Sequence, residues 1–215
     1  MTTTTKHTRT LGSLLGGAIG DALGAPIEFT HTPTPPATLH YQRNPRDIPA
    51  PLGAVTDDTQ LVIHTLTALI TSQHHGSDRL DTLTHHYRTW RQHQNTGASN
   101  PHNTRTELHT NYLTWMHHVR APGGACLAVG PDSNAAHTRD THPSPDAKGC
   151  GTVMRSAPFG LAYEHPASAY LIAARAANIT HGHPTAHHAA GALAWLVCAL
   201  VHGTQTLQHA SLTTE

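Results

Sequence analysis

The chain has 215 residues, which suffices for one domain with a substantial core but not for two ordinary domains. Its 13 lysine and arginine residues balance 13 aspartate and glutamate residues, so no net charge attracts a nucleic-acid backbone or an anionic membrane surface. The composition therefore argues against nucleic-acid and membrane partners. Three widely spaced cysteines without a CxxC pair argue against a disulfide framework or a thiolate zinc site, and favour a cytoplasmic protein.

The N-terminal segment combines a polar lead-in with the first predicted helix. Residues 1 to 9 are rich in threonine, which predicts a disordered lead-in to a single domain over residues 10 to 215. Apolar residues then recur at helical spacing from Leu11 to Leu23, and a second face carries glycines at positions 12, 16, 20 and 24. This pattern predicts a helix that is packed closely on both sides.

Helical periodicity also governs most of the remaining chain. Residues 30–51, rich in proline and threonine, and residues 122–151, rich in glycine and proline, are predicted as loops. Nothing alternates like a strand over a useful length, and residues 189–201, a long apolar run, are too few for the roughly 20 residues that span a bilayer. The sequence predicts a soluble, all-α fold, with further helices over residues 61–70, 80–90, 108–119, 153–163, 167–179 and 184–201.

A cluster of hard oxygen ligands, Thr56-Asp57-Asp58-Thr59, stands just before the second predicted helix. Helix capping would explain one of the carboxylates, because Asp57 with Gln60 three residues later resembles a capping box. Two adjacent aspartates flanked by threonines also offer several oxygens to Mg²⁺, Mn²⁺ or Ca²⁺. Since such a cation takes about six oxygens, the cluster would supply about half of a site.

Two other segments carry polar or glycine-rich patterns. Asp21 and Glu28 flank the glycine- and proline-shaped exit of the first helix, where a lone acid is usually a solvated surface residue. Two glycines at positions 149 and 151 precede a helical stretch, an arrangement that lets backbone N–H groups approach a phosphate or another anion. The segment is not a Walker loop, because Lys148 precedes the glycines.

Taken in this order, the segments resemble the ADP-ribosylglycohydrolase family. Residues 17–24 with Pro26 and Glu28 are similar to its opening helix and acidic flap, and residues 56–59 to its first metal motif. Residues 149–158 are similar to its central glycine-rich motif, and Thr180-His181 to the motif that follows. The resemblance covers about residues 11 to 200.

The resemblance implies an orthogonal multi-helix bundle around a cleft with two Mg²⁺ or Mn²⁺ ions, which cleaves ADP-ribose from a protein side chain or a small adduct. It implies that Thr56, Asp57 and Asp58 are metal ligands, and that Glu28 acts with Asp57 and Asp58 in catalysis. Asp21 would be structural or lie behind the ligands. The residues expected to border the ribose, diphosphate or nucleotide are Gly149, Cys150, Gly151, Met154, Arg155 and His181.

One departure from the family concerns the second half of the metal site. Family members carry another aspartate and threonine cluster in a later C-terminal segment, whereas this sequence has only Glu164 and Glu215 as carboxylates after Asp146. The resemblance therefore implies one metal half-site and a bundle that lacks its C-terminal part, with apolar surface exposed on residues 189–201. Three interpretations stay open: a fragment, a site completed by a separate chain, or an inactive remnant that binds nucleotide or one metal without turnover.

Overall fold

The computed structural model describes residues 3–28, 53–96, 116, 118–129 and 144–203. These residues contain seven α-helices and no β-strand, so the all-α prediction is confirmed for the part of the chain that they cover. A 3-10 turn lies at Cys150–Thr152. The helices are α1 (Thr3–Gly24), α2 (Asp57–His75), α3 (Arg79–Thr96), α4 (Gly124–Leu127), α5 (Ala157–Ala162), α6 (Pro166–Ala177) and α7 (Pro184–His202).

The core lies where α2 and α3 meet α5, α6 and α7. Trp90, Tyr87 and Phe159 are its largest apolar side chains, and each is at most 1% exposed. Burial of such aromatic side chains contributes much of the stability of a helical core. Smaller residues fill the spaces between these rings, namely Leu61, Ala68, Leu83, Val129, Ala169, Ala173, Ala176, Ala194 and Cys198.

Small residues bring α5 and α6 close to α7. A Cβ atom at Gly160 of α5 would lie 2.5 Å from the Ala194 carbonyl oxygen, and one at Gly191 of α7 would lie 2.7 Å from the Tyr170 ring. By length and composition α7, at 19 residues, could cross a membrane, which corrects the expectation from residues 189–201 alone. The core helix of a soluble protein can have the same length and composition, and α7 packs along α5 and α6.

The N-terminal helix begins earlier than predicted. Because α1 starts at Thr3, it includes residues 3 to 9, for which the sequence predicts a disordered lead-in. Arg9 donates from Nη1 to the carbonyl oxygens of Leu200 and Gly203, which lie at the C-terminal end of α7. Carbonyl groups at the end of a helix lack helical partners and carry partial negative charge, so they attract the Arg9 guanidinium. This contact with α7 stabilises the start of α1, which has few apolar side chains.

The packing of α1 also differs from the prediction. Leu11, Leu15 and Ile19 are 48%, 53% and 47% exposed, and Ala22 is the one buried side chain among residues 5–24. Within the described residues, no atom of another element lies within 4 Å of a Cβ placed at any α1 glycine. The exposed large apolar side chains expected on residues 189–201 are found on α1 instead, and no large apolar side chain of α7 is exposed.

The other predicted elements agree with the structure except at their ends. Helices predicted from residues 61, 80, 167 and 184 correspond to α2, α3, α6 and α7, and the one predicted over 153–163 shortens to α5. The region 122–151, predicted as a loop, contains α4 and the start of the 3-10 turn. Most of the helix predicted over 108–119 and the loop over 30–51 lie outside the described residues.

We predict opposite effects of alanine at two glycines of the bundle. Gly16→Ala should raise the free energy of unfolding by about 0.5 to 1 kcal/mol, because the new methyl group meets open space and alanine favours helix. Gly160→Ala should lower it by about 1 to 3 kcal/mol, because its methyl group would overlap α7. Urea unfolding monitored by circular dichroism measures both. Destabilisation by Gly16→Ala would show that the glycine face of α1 is closely packed after all.

Candidate functional site

The first turn of α2 carries the predicted cluster, and Thr56 is its N-cap. Thr56 has extended backbone angles (φ −103°, ψ −164°), and its Oγ1 accepts a hydrogen bond from Asp58 N at 3.3 Å. The predicted capping box is wrong, because the Gln60 side chain turns away to donate to His118 O at 3.0 Å and accept from Trp90 Nε1 at 3.0 Å. Asp57 is the first residue within the helix.

Asp21, at the end of α1, completes the capping of α2. Its Oδ2 accepts hydrogen bonds from Thr56 N at 2.9 Å, Thr59 N at 3.2 Å and Thr59 Oγ1 at 2.5 Å. Its Oδ1 accepts from Thr56 Oγ1 at 2.7 Å. Because Thr56 and Asp21 accept from the N–H groups of Asp58 and Thr59, helix capping does not explain the carboxylates of Asp57 and Asp58.

Asp57 is buried against the segment that precedes α4. Its backbone N–H donates to Arg120 O at 2.9 Å, and its Oδ2 accepts from Gly123 N at 3.1 Å. Between these two contacts, Ala121 adopts φ 49°, a left-handed conformation that costs a non-glycine residue about 1 to 2 kcal/mol. The strained turn therefore serves to bring the Gly123 N–H to the Asp57 carboxylate.

A buried polar network holds this segment on α2 and α3. Gln94 Nε2 donates to His118 O at 3.1 Å and to Gln60 Oε1 at 3.2 Å, while Gln94 Oε1 accepts from Arg120 N at 3.1 Å. Both glutamine side chains are at most 6% exposed. Sequence reasoning missed this support, because residues 122 to 124 indicated only a break between helices.

The two aspartates are protonated more readily than free aspartates. Burial raises the pKa of Asp57 to about 7, and repulsion from Asp58, Glu28 and Asp21 adds to this effect. Burial also raises the pKa of Asp58 to about 6, with further repulsion from Asp21 and Glu28. Four carboxylates thus concentrate negative charge at one end of α2, although Glu28 itself is exposed.

The donor set suits a hard divalent cation but is incomplete. Asp57 and Asp58 offer carboxylate oxygens, and Thr56 offers a hydroxyl oxygen, which are ligands that Mg²⁺ and Mn²⁺ prefer. A bound cation would also relieve the repulsion that raises both pKa values. However, no three His, Cys, Asp or Glu side chains form a metal-holding group within the ranges described above. The residues present therefore fit part of a metal site.

The predicted substrate residues divide into an exposed set and a buried set. Gly149 and Cys150 are exposed at the 3-10 turn, and Gly151 and Met154 are half-buried, with Met154 packed on the core. Arg155 and His181 are each 2% exposed. The structure therefore does not support direct contact of Arg155 and His181 with a surface-bound substrate.

The glycine-rich turn and the acidic cluster lie near one another. Although Cys150 is exposed as a residue, partial desolvation of its thiol raises its pKa, and the charges of Asp58 and Glu28 raise it further. Cys126 of α4 lies between the two motifs: its Sγ would be 2.6 Å from a Cβ at Gly151, and burial raises its pKa to about 11. Because both pKa values are raised, neither thiol provides a thiolate nucleophile near neutral pH.

The family profile of ADP-ribosylglycohydrolases matches residues 2–214. The chain belongs to the ADP-ribosylglycohydrolase family. No curated protein and no solved structure matches it. In this member of the family, the motifs at the end of α1, at the start of α2 and at the 3-10 turn lie near one another although they are up to about 130 residues apart in sequence. Membership in the family indicates glycohydrolase-type activity.

We predict that Asp21 is essential for the stability of this end of the bundle. Asp21→Asn should lower the free energy of unfolding by about 2 to 3 kcal/mol, because an amide would direct a donor at groups that now donate to a carboxylate. Asp78→Asn is the matched control. Asp78 caps α3 by accepting from Leu80 N and Asp81 N, and asparagine caps about as well, so the change should stay below about 0.5 kcal/mol. Equal costs in urea unfolding would contradict the anchoring role.

The raised pKa values predict how stability varies with pH in the absence of metal. Asp57 and Asp58 bind protons more tightly in the folded chain than in the unfolded chain, so the free energy of unfolding should fall as pH rises from about 4 to about 7. Asp57→Asn removes the larger of the two shifts and should flatten this fall. Urea unfolding in EDTA between about pH 5 and pH 8 measures the free energy of unfolding of both proteins. Because both contain the same 22 histidines, the difference between the two pH profiles reports on Asp57. Parallel pH profiles for the wild type and variant would contradict the assignment.

Proposed function

We propose that this chain hydrolyses the glycosidic bond of ADP-ribosyl adducts with the help of Mg²⁺ or Mn²⁺ held by Thr56, Asp57 and Asp58. The observation that carries the proposal is the pair of aspartates at the start of α2. They are crowded by two further carboxylates, and capping of the helix is performed by other residues. A charge cluster of this kind is costly unless a cation or proton is bound.

Each part of the site has a role in the proposed reaction. Hydrolysis at the anomeric carbon of the ribose passes through an oxocarbenium-like state, in which positive charge develops next to the departing group. A bound cation would orient the ribose hydroxyls and activate water. The carboxylates of Asp57 and Asp58 would provide negative charge beside that centre, and exposed Glu28 would order water or transfer a proton.

The glycine-rich turn would receive the nucleotide part of the substrate. Gly149 and Cys150 are exposed, and among the described residues no atom lies within 4 Å of a Cβ placed at Gly149, which leaves room for a diphosphate there. The substrate is therefore an ADP-ribosylated protein or an ADP-ribosyl small molecule. The hydrogen bond from Gly123 N–H to Asp57 Oδ2 also supports the proposed cation site. It orients the carboxylate and leaves Oδ1 for another partner.

The alternative is a chain that binds ADP-ribose-like nucleotide, or one metal ion, without turnover. It is favoured by the incomplete ligand set, since the described residues contain no metal-holding group of three His, Cys, Asp or Glu side chains. Full activity then requires further oxygen ligands, which a separate chain could supply.

We predict metal-dependent release of free ADP-ribose from ADP-ribosylated arginine or serine peptides. Asp57→Asn and Glu28→Gln should each lower the rate at least about hundredfold, because metal ligands and proton-transfer groups contribute at least this much. Asp78→Asn, on the exposed cap of α3, should keep the wild-type rate. Activity that is indifferent to both Mn²⁺ and Asp57 would refute the proposal. Absence of turnover, with Mn²⁺ still raising the melting temperature of the wild type but not of Asp57→Asn, would establish the binding alternative.

A further inference from the structure

Arg155 is a buried cation whose contacts are internal. Its guanidinium carbon lies 4.2 Å from the centroid of the Tyr87 ring, and no carboxylate pairs with it among the described residues. Its Nη1 finds no hydrogen-bond partner in the described part of the chain, whereas Nη2 donates to Thr180 Oγ1 at 2.6 Å. A desolvated cation gains from an aromatic face, so Tyr87 and Thr180 together hold the guanidinium.

Tyr87 is itself fixed by α2. Thr65 Oγ1 donates to Leu61 O at 2.7 Å, which uses the only hydrogen of that hydroxyl. The Tyr87 hydroxyl, 2.8 Å from Thr65 Oγ1, must then be the donor of the bond between them. The ring beneath Arg155 is therefore tied to the helix whose first turn carries Asp57 and Asp58.

The Thr180 hydroxyl determines which nitrogen of His181 carries a proton. Thr180 is fully buried, and its Oγ1 has two partners among the described residues, Arg155 Nη2 and His181 Nδ1, the latter at 2.8 Å. An arginine only donates, so it takes a lone pair of the hydroxyl oxygen. The hydroxyl hydrogen is satisfied only if it is donated to Nδ1, which must then be an acceptor.

The other edge of the His181 ring lies against the glycine-rich turn. A Cβ atom at Gly151 would be 2.9 Å from His181 Cε1 and 3.1 Å from Nε2, so the backbone of the turn rests directly on this edge. The His181 carbonyl oxygen accepts from His187 Nε2 of α7 at 2.7 Å, which fixes the backbone on the other side of the ring.

From these contacts we propose that Arg155 and Thr180 are positioning residues, which hold His181 as the neutral tautomer with its proton on Nε2 beneath the turn at Gly151. Arg155 acts through Thr180 and does not touch the substrate. The ring in turn sets the height and orientation of the backbone at residues 149 to 151. An effect of this positioning on ADP-ribose binding rests on the function proposed above. The assignment of the tautomer rests only on the contacts of Thr180 and His181.

The tautomer is tested by ¹⁵N NMR of the histidine rings, with His181 assigned through its backbone. In the wild type, Nδ1 should resonate as a hydrogen-bonded acceptor and Nε2 as a protonated nitrogen. Thr180→Val should move Nδ1 toward the position of an acceptor without a hydrogen bond, and Thr180→Ser should restore it. A proton on Nδ1 in the wild type, or a Thr180→Val ring identical to the wild type, would overturn the proposal.

The positioning role is tested by titrating ADP-ribose into the same proteins in the presence of Mg²⁺. Thr180→Val should bind about fivefold to tenfold more weakly, and Thr180→Ser within about twofold of the wild type. A Thr180→Val variant that binds as tightly as a binding-competent wild type would overturn the positioning role. A wild type that binds no ADP-ribose would instead refute the proposed function, and the ring spectrum would still decide the tautomer.

Discussion

The carboxylate of Asp21 joins the end of α1 to the first turn of α2, and the arrangement of the candidate site depends on this junction. It accepts hydrogen bonds from the backbone and hydroxyl groups of Thr56 and Thr59. Because these groups are satisfied from α1, Asp57 and Asp58 keep their carboxylates for other partners. The same contact adds another negative charge to the cluster, which increases the repulsion that a cation would relieve.

The two halves of the site are chemically different, and each has its own buried support. The acidic half rests on Gln60 and Gln94, whose amide groups hold the strained turn that brings Gly123 to Asp57. The glycine-rich half rests on His181. The Gln60 and Gln94 amides are uncharged, so they support the acidic half without neutralising its carboxylates. Under the proposed function, the glycine-rich half would face the diphosphate of the substrate and the acidic half its ribose hydroxyls.

Sequence reasoning located the helices of the core and the motifs of the site, because both depend on local spacing. The apolar period placed α2, α3, α6 and α7, and the residue types at 56 to 59 indicated hard ligands. Sequence reasoning failed where contacts between residues far apart in the chain determine the structure. Asp21 bonds to residues 35 and 38 positions away, and Arg9 bonds to α7 across 194 positions. The family resemblance implied that Arg155 borders the ribose and diphosphate, whereas its side chain is buried, with the Tyr87 ring and Thr180 as its partners.

The exposed apolar face of α1 has a consequence for the order in which the protein opens. Polar contacts hold α1 near its two ends, through Arg9 and Asp21, while Leu11, Leu15 and Ile19 between them gain little from burial. A helix with so few buried apolar contacts detaches at a lower free energy than the core, as a separate cooperative unit. Since Asp21 travels with it, detachment of α1 would release the first turn of α2 while the core helices remain folded. Amide exchange at Thr59 would then report on the integrity of the acidic half, well below the free energy of global unfolding.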